Sequence, residues 1–123
     1  MPRELVVELI KKRKAIHQEK HDLVIEELSV EEELAYCTLN NEANLEAKLR
    51  EIKVKQFSVN AQLDRAYVFG PRYTHGAIPS LCAICFVDHN KESFMVEVES
   101  DRGHGIRQFE CPTCKYVLRV DPI

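Results

Sequence analysis

The chain has 123 residues and a net charge of −3, with 30% charged residues, 7% aromatic residues and no Trp. This length fits one domain or two small ones, and the composition suits exposed helices better than a large globular core. The weak negative charge gives no general reason to expect nucleic acid or an anionic membrane as a partner.

No apolar run approaches the ~20 residues that span a bilayer, so no membrane partner is expected. The first residues, which are rich in charge, lack the apolar core of a signal peptide. We therefore expect a reducing, cytoplasmic setting, in which closely spaced cysteines bind metal more often than they form disulfides.

Residues 3–68 contain no Pro or Gly and are rich in Glu, Lys, Leu and Ala, which favours helix. Apolar residues recur every seven positions in two series, as in the seam of a coiled coil. The two series are Leu9, Ile16, Leu23, Val30 and Cys37, then Leu45, Ile52, Val59 and Ala66. The pattern predicts that both series face a partner helix, and it makes Cys37 a small buried seam residue.

The two series are out of phase by one residue, and the change falls where Asn40 and Asn41 suit a turn. We therefore predict two helices, 3–38 and 42–68, folded back as an antiparallel hairpin. A capping box at 29–32 offers a competing break, and a single long helix is a third arrangement. The first seam is thin around Ile16, which predicts self-association of the helices into a homodimer. The basic run 11–14 beside it is expected on a solvated face.

Residues 69–81 contain two Pro and two Gly, which predicts that they end the second helix and form a connector. Three segments are therefore expected along the chain: a coiled-coil hairpin at 1–68, the connector at 69–81 and a C-terminal module at 82–123.

Two Cys-x-x-Cys pairs, Cys82 with Cys85 and Cys111 with Cys114, are the strongest chemical signal in the chain. The spacing lets both thiolates of a pair reach one ion, and four thiolates form a closed, tetrahedral zinc site. Four cysteines can also bind iron, and either pair alone can serve as a dithiol redox site. Redox pairs usually open a helix, whereas the second pair lies between strand patterns. The sequence therefore predicts one structural Zn²⁺.

Alternating apolar and polar residues predict three strands, at 93–99, 106–110 and 115–120, in an antiparallel sheet with the metal at one end. Residues 109–116 (FECPTCKY) resemble the second knuckle of zinc ribbons, and the resemblance covers about 80–121. Zinc ribbons often carry Gly after the last Cys of each knuckle, where this chain has Phe86 and Lys115. The implied fold class is α+β: a long antiparallel helical hairpin, followed by a small three-stranded antiparallel zinc ribbon.

No catalytic constellation is visible, because four cysteines leave no open metal position and the chain has neither a phosphate loop nor a His-Glu-x-x-His motif. We therefore expect a non-enzymatic protein that docks a protein partner. Residues 82–123 contain more acidic than basic side chains, which disfavours direct nucleic-acid binding. A local patch of candidate partner contacts remains in this segment: Arg102, His104, Arg107 and Arg119.

The layout also resembles, at the level of architecture, the secondary-channel regulators of bacterial RNA polymerase, which pair a helical hairpin with a four-cysteine zinc module. Those regulators carry acidic residues at the hairpin tip, where this chain has Glu31, Glu32 and Glu33 before the turn. The resemblance implies, as an alternative, a transcription-associated regulator that binds polymerase or nucleic acid. The segment between the cysteine pairs is longer here than in that family, and the family's tip aspartates are absent.

Overall fold

The computed structural model describes residues 3–73, 81–100 and 105–120. These residues form two long helices, a short helix and a sheet of three antiparallel strands in the order β1-β2-β3. In chain order the elements are α1 (Arg3–Tyr36), α2 (Leu39–Tyr73), α3 (Ala83–His89), β1 (Val96–Val98), β2 (Arg107–Glu110) and β3 (Val117–Val120). The predicted α+β class, with a helical hairpin before a three-stranded antiparallel sheet, is confirmed. Within the described ranges, none of the helices combines the length and apolarity needed to cross a membrane.

The link of the hairpin lies at residues 37–38, slightly before the predicted turn. Asn40 and Asn41 already belong to the first turn of α2, where the Asn41 N–H donates to the Thr38 carbonyl at 3.0 Å. Helix α1 continues through Ser29, so the alternative break there and the single long helix are both wrong. Cys37 lies in the link and is half-buried, with its Sγ donating to the Leu34 carbonyl at 3.3 Å. The prediction of a buried seam position for Cys37 is therefore wrong, because the helix ends one residue earlier.

Helix α2 runs five residues past its predicted end and includes Gly70 and Pro71, so the prediction that 69–73 are non-helical is wrong. The physical reason is packing. The Phe69 side chain is 0% exposed, and its ring lies 5.8 Å from the Phe86 ring, centroid to centroid. Burial of the Phe69 side chain stabilises the added turn and opposes the helix-breaking tendency of Gly70 and Pro71. Residues 74–80 of the predicted connector lie outside the described residues.

Contacts divide the chain into two units: residues 14–61, and residues 1–13 together with 62–123. We call them the distal unit and the metal unit. The predicted three-segment division follows chain order, whereas the metal unit combines both ends of the hairpin with the C-terminal module.

The distal unit consists of two helical segments that bury one residue per heptad. Since it contains nothing else, these faces pack against each other. The buried residues are Ile16, Leu23 and Val30 from α1, with Leu45, Ile52 and Val59 from α2. All of them belong to the predicted heptad series, which is confirmed here.

Among the described residues, the metal unit buries side chains from all three helices and from β2 and β3. Leu5 and Leu9 come from α1, Phe69 from α2, Val87 from α3 and Leu118 from β3. In the sheet, Glu97 of β1 pairs with Phe109 of β2, which in turn pairs with Leu118. The strands are shorter than predicted, but they occupy the predicted segments.

Candidate metal centre

The first cysteine pair lies at the start of α3. Cys82 occupies the N-cap position with extended backbone angles, and its N–H donates to the Ser93 carbonyl at 2.7 Å. The Cys82 carbonyl accepts the Phe86 N–H at 3.1 Å, which begins the helix. Cys85 follows in the first turn, three positions later, so its thiol lies on the same side of the helix as Cys82. The expected knuckle turn at Phe86 is therefore wrong, because this pair is carried by a helix.

Helix α3 has only seven residues and ends with a left-handed cap. Asn90 has φ 52° and ψ 42°, a conformation that Asn tolerates better than most residues. The Lys91 N–H then closes the end by donating to the Cys85 carbonyl at 3.0 Å. The Asn90 N–H donates to the Phe86 carbonyl at 3.1 Å, which is the bond of an αL cap, and the two bonds fix a helix too short to be stable alone.

The second cysteine pair forms the predicted knuckle between β2 and β3. The Cys111 N–H donates to the Tyr116 carbonyl at 2.9 Å, and the Lys115 N–H donates to the Cys111 carbonyl at 3.0 Å. Lys115 stands where zinc ribbons often have Gly, and it adopts the left-handed conformation at φ 67°. The turn therefore retains the backbone geometry that favours Gly at this position, despite the side chain.

The two pairs bring four sulfur atoms together, all within 4.8 Å of one another. Cys82 Sγ lies 3.5 Å from Cys114 Sγ, and Cys85 Sγ lies 3.6 Å from Cys111 Sγ. Four thiolates about 2.3 Å from one ion are separated by about 3.8 Å in tetrahedral geometry. All four residues are free cysteines, and three are buried while Cys114 is half-buried. The predicted cysteines thus form a possible metal site with the donor set of structural zinc or iron centres.

The protein environment shifts the pKa values of three cysteine thiols in different directions. Burial raises the pKa of Cys82 well above its ordinary value and raises that of Cys85 to about 11. Burial also raises the pKa of Cys111, but hydrogen bonds from the Cys114 N–H, the Ser93 hydroxyl and the Thr113 N–H outweigh it and lower the pKa to about 6. Of these three thiols, Cys111 therefore ionises most readily, and a bound cation favours ionisation of the others.

Ser93 is a site residue that the sequence did not reveal. Its carbonyl accepts the Cys82 N–H, and its hydroxyl lies 3.2 Å from Cys111 Sγ and 3.1 Å from Thr113 Oγ1. Ser93 therefore contacts both cysteine pairs and orients a ligand from each. It lies in the segment predicted as strand, where no spacing rule marks a residue that supports metal ligands.

Asp88, near the end of α3, joins the module to the ends of both long helices. Its Oδ2 accepts from Lys12 Nζ at 2.6 Å, and its Oδ1 accepts from Gln62 Nε2 at 3.0 Å. Beside it, Arg65 Nε donates to the Val87 carbonyl at 3.1 Å. The expectation of a solvated face for Lys12 is therefore wrong. No sequence pattern marks a pair that is 76 positions apart.

The predicted basic patch is not assembled among the described residues. Arg107 pairs with Val120 and Gln108 pairs with Arg119 in the strand register, so the two arginines lie on opposite faces of the sheet. Arg107 also forms an exposed ion pair with Glu97 at 2.6 Å. The other two members, Arg102 and His104, lie outside the described residues.

The acidic candidates Glu31, Glu32 and Glu33 are all exposed on the last turns of α1. Tyr36 and Leu39, which flank the link, are 85% and 89% exposed. Neither residue was among the candidate contacts predicted from the sequence.

No family model, curated protein or solved structure matches this chain. The site is therefore interpreted from its own geometry and donor chemistry. Four sulfur ligands would fill a tetrahedral shell and leave no position for a reacting water or substrate. The ion would crosslink α3 to the β2–β3 turn.

Proposed function

We propose that this chain is a non-enzymatic zinc-binding interaction protein. One structural Zn²⁺, held by Cys82, Cys85, Cys111 and Cys114, would fix α3 and the sheet to the ends of the long helices. The observation that carries the proposal is the convergence of four cysteine sulfurs within 4.8 Å. Zinc is favoured over iron because nothing in the described residues suggests a partner for electron transfer.

Metal analysis combined with native mass spectrometry tests this assignment. The purified chain should contain one zinc per polypeptide, and a Cys82→Ser variant should lose it. A Cys37→Ser variant is the matched control, since Cys37 lies outside the cluster, and it should retain the metal. Stoichiometric iron, with visible absorption, would contradict the choice of zinc, and a metal-free chain would contradict the whole proposal.

The surface proposed to dock a protein partner is the hairpin tip, formed by Glu31, Glu32 and Glu33 with Tyr36 and Leu39. The surrounding segment 22–47 contains no Lys or Arg. Its acidic residues are Asp22, Glu26, Glu27, Glu31, Glu32, Glu33, Glu42 and Glu46. Exposed apolar side chains surrounded by acidic residues suit a partner whose apolar pocket has a basic rim. The acidic residues also repel nucleic acid.

Affinity capture with two variants tests the tip. A triple Glu→Gln variant at 31–33 should lose the partner that the wild type retains, and capture by the wild type should weaken as the salt concentration rises. Glu97→Gln, an exposed acidic change in the sheet, is the control and should capture normally. Equal capture by all three proteins would exclude the tip as the docking surface.

Self-association through the helices is the second part of the proposal. Ile25, Leu28, Val54 and Phe57 are exposed in the distal unit, away from its buried heptad series. Burying such side chains in a homodimer would add the apolar contact that a thin two-helix seam lacks. Light scattering should give a dimeric mass at micromolar concentration, and a monomeric mass would contradict this part.

A transcription-associated regulator is the alternative function, favoured by the acidic tip on a helical hairpin. Polymerase subunits among the captured proteins would support it, and salt-independent or absent DNA binding would argue against direct nucleic-acid contact. A thiol redox protein is the second alternative, favoured because Cys82 and Cys85 open a helix. It requires catalytic reduction of a disulfide substrate such as insulin, and no turnover would exclude it.

A further inference from the structure

We propose that Cys114 is the oxidation site of the four-cysteine cluster and that, once oxidised, it forms a disulfide with Cys82 that opens the metal site. This inference rests on the proposed zinc site and adds a chemical modification to it. The co-reactant is a hydroperoxide, with hydrogen peroxide as the simplest member of the class.

Exposure distinguishes Cys114 from the other three cysteines. Cys82, Cys85 and Cys111 are at most 1% exposed, whereas Cys114 is half-buried. A peroxide must approach the attacking sulfur along the line of its own O–O bond, which requires open space in front of that sulfur. Within the described residues, the cluster offers this access best at Cys114.

Hydrogen bonding also favours Cys114 over Cys111 as the sulfur that attacks the peroxide. The Ser93 hydroxyl lies 3.2 Å from Cys111 Sγ, and the Cys114 N–H donates to that sulfur at 3.5 Å. Such bonds disperse thiolate charge and lower nucleophilicity. In the part of the chain that the structure describes, no N–H or O–H group donates to Cys114 Sγ, whose neighbours are the other cluster sulfurs.

Cys82 is placed to complete the reaction. Its Sγ lies 3.5 Å from Cys114 Sγ, so a movement of about 1.5 Å brings the two sulfurs to the ~2.05 Å of a disulfide. The two residues come from different pairs, one at the start of α3 and one at the β2–β3 turn. Their disulfide would keep these two segments crosslinked after the metal has left.

The chemistry balances in two steps. The Cys114 thiolate attacks one peroxide oxygen, the O–O bond breaks, and Cys114 sulfenic acid and hydroxide form. The Cys82 thiolate then attacks the sulfenic sulfur, the S–O bond breaks, and a second hydroxide leaves. The two thiolates lose two electrons in total, and the peroxide is reduced to two hydroxide ions, which the buffer acid protonates to water. Two of the four metal ligands are lost, which leaves too few to retain the ion.

The test uses the full chain loaded with one zinc, in a Cys37→Ser background that removes the cysteine outside the cluster. Hydrogen peroxide is added with dimedone, which traps sulfenic acids, and the modified peptides are quantified over time by mass spectrometry. Cys114 should be trapped first, at an initial rate about tenfold above that of any other cysteine. Without dimedone, the Cys82–Cys114 disulfide should form in step with zinc release, read with a chromogenic chelator.

A Ser93→Ala variant provides the internal control. It removes the hydroxyl beside Cys111, so the ratio of trapping at Cys111 to trapping at Cys114 should rise. First trapping at Cys82, Cys85 or Cys111 in the parent chain, equal rates at all four, or a Cys111–Cys114 disulfide would overturn the inference. A chain that binds no zinc before peroxide is added would instead overturn the proposed function, so the two failures are distinguishable.

Discussion

The distal unit and the metal unit are stabilised in different ways. In the distal unit, two helical segments bury one apolar residue per heptad, such as Ile52. In the metal unit, the ends of the same helices contact α3 through the Lys12–Asp88 ion pair and through Phe69 packed on Phe86. The difference shows that a helical hairpin can be specified by a short repeating pattern, whereas its junction with a metal module depends on contacts between residues distant in the chain.

The largest expected effect comes from removing a metal ligand, as in Cys85→Ser. Structural zinc contributes about 10–16 kcal/mol of apparent binding free energy in small metal-folded peptides, which is comparable to the ~5–15 kcal/mol stability of a whole domain. We expect residues 81–120 to unfold and the helix ends at 3–13 and 62–73 to lose protection. The helical segments at 14–61 should remain. Hydrogen exchange read by mass spectrometry measures each segment separately.

The Cys37→Ser protein is the control for this change and should match the wild type in every segment. Loss of protection at 14–61 as well would show that the two units fold as one. Full protection at 3–13 after metal loss would show that the helix ends do not depend on the module.

The next largest effect is expected in the distal unit, from Ile52→Ala. Ile52 is 2% exposed, and truncation of a buried Ile costs about 2–5 kcal/mol because it removes apolar contact and leaves a cavity. Urea unfolding followed by circular dichroism measures the loss. Lys53→Ala, at the exposed position next to Ile52, is the control and should change stability by less than about 0.5 kcal/mol. Similar losses in both variants would contradict the assigned core face.

The distal unit was predictable from the sequence because its buried apolar residues recur every seven positions in each helix. Each heptad position from Ile16 to Val59 in the two predicted series, Cys37 apart, is buried as expected. The errors lie at the ends of the helices, where local propensity competes with tertiary contact. Pro71 predicted a break that the burial of Phe69 overrides, and Asn40 and Asn41 predicted a turn that forms two residues earlier.

The metal unit was predictable only where chemistry is encoded in spacing. Two Cys-x-x-Cys pairs were enough to predict the four-cysteine cluster, and β2 with β3 followed from alternation. The helix at the first pair was missed because Cys82 and Cys85 fit a knuckle equally well by spacing. Ser93 and Asp88 were missed because their partners become neighbours only after the chain has folded.

A smaller effect is expected from breaking the ion pair that joins α3 to α1, with Asp88→Asn. The Lys12 and Asp88 side chains are 15% and 29% exposed, so water only partly screens their charges. The amide keeps the shape and an acceptor for Gln62 but loses the charge, which should cost about 1–2 kcal/mol. Urea unfolding measures the cost, and zinc content should stay at one per chain.

Asp22→Asn is the control for this change. Asp22 accepts a hydrogen bond from Gln18 on the exposed surface of α1, so the same substitution should have little effect there. If Asp88→Asn also left the free energy of unfolding unchanged, the ion pair would not stabilise the metal unit. If it released zinc, Asp88 would act on the metal site itself.

The smallest expected effect concerns the exposed pair in the sheet. Hydrogen bonds from Arg107 lower the pKa of Glu97 below its ordinary value. A carboxyl group with a lowered pKa in the folded state favours folding above its unfolded pKa, and this contribution is lost as the pH falls through the folded pKa. Carbon-13 NMR titration should show the Glu97 carboxyl titrating at a higher pH in Arg107→Gln than in the wild type, whereas Lys91→Gln should leave it unchanged. Because both side chains of the pair are about half exposed, the change should leave the fold and the metal content unaltered. An unchanged titration in Arg107→Gln would mean that the pair does not persist in solution.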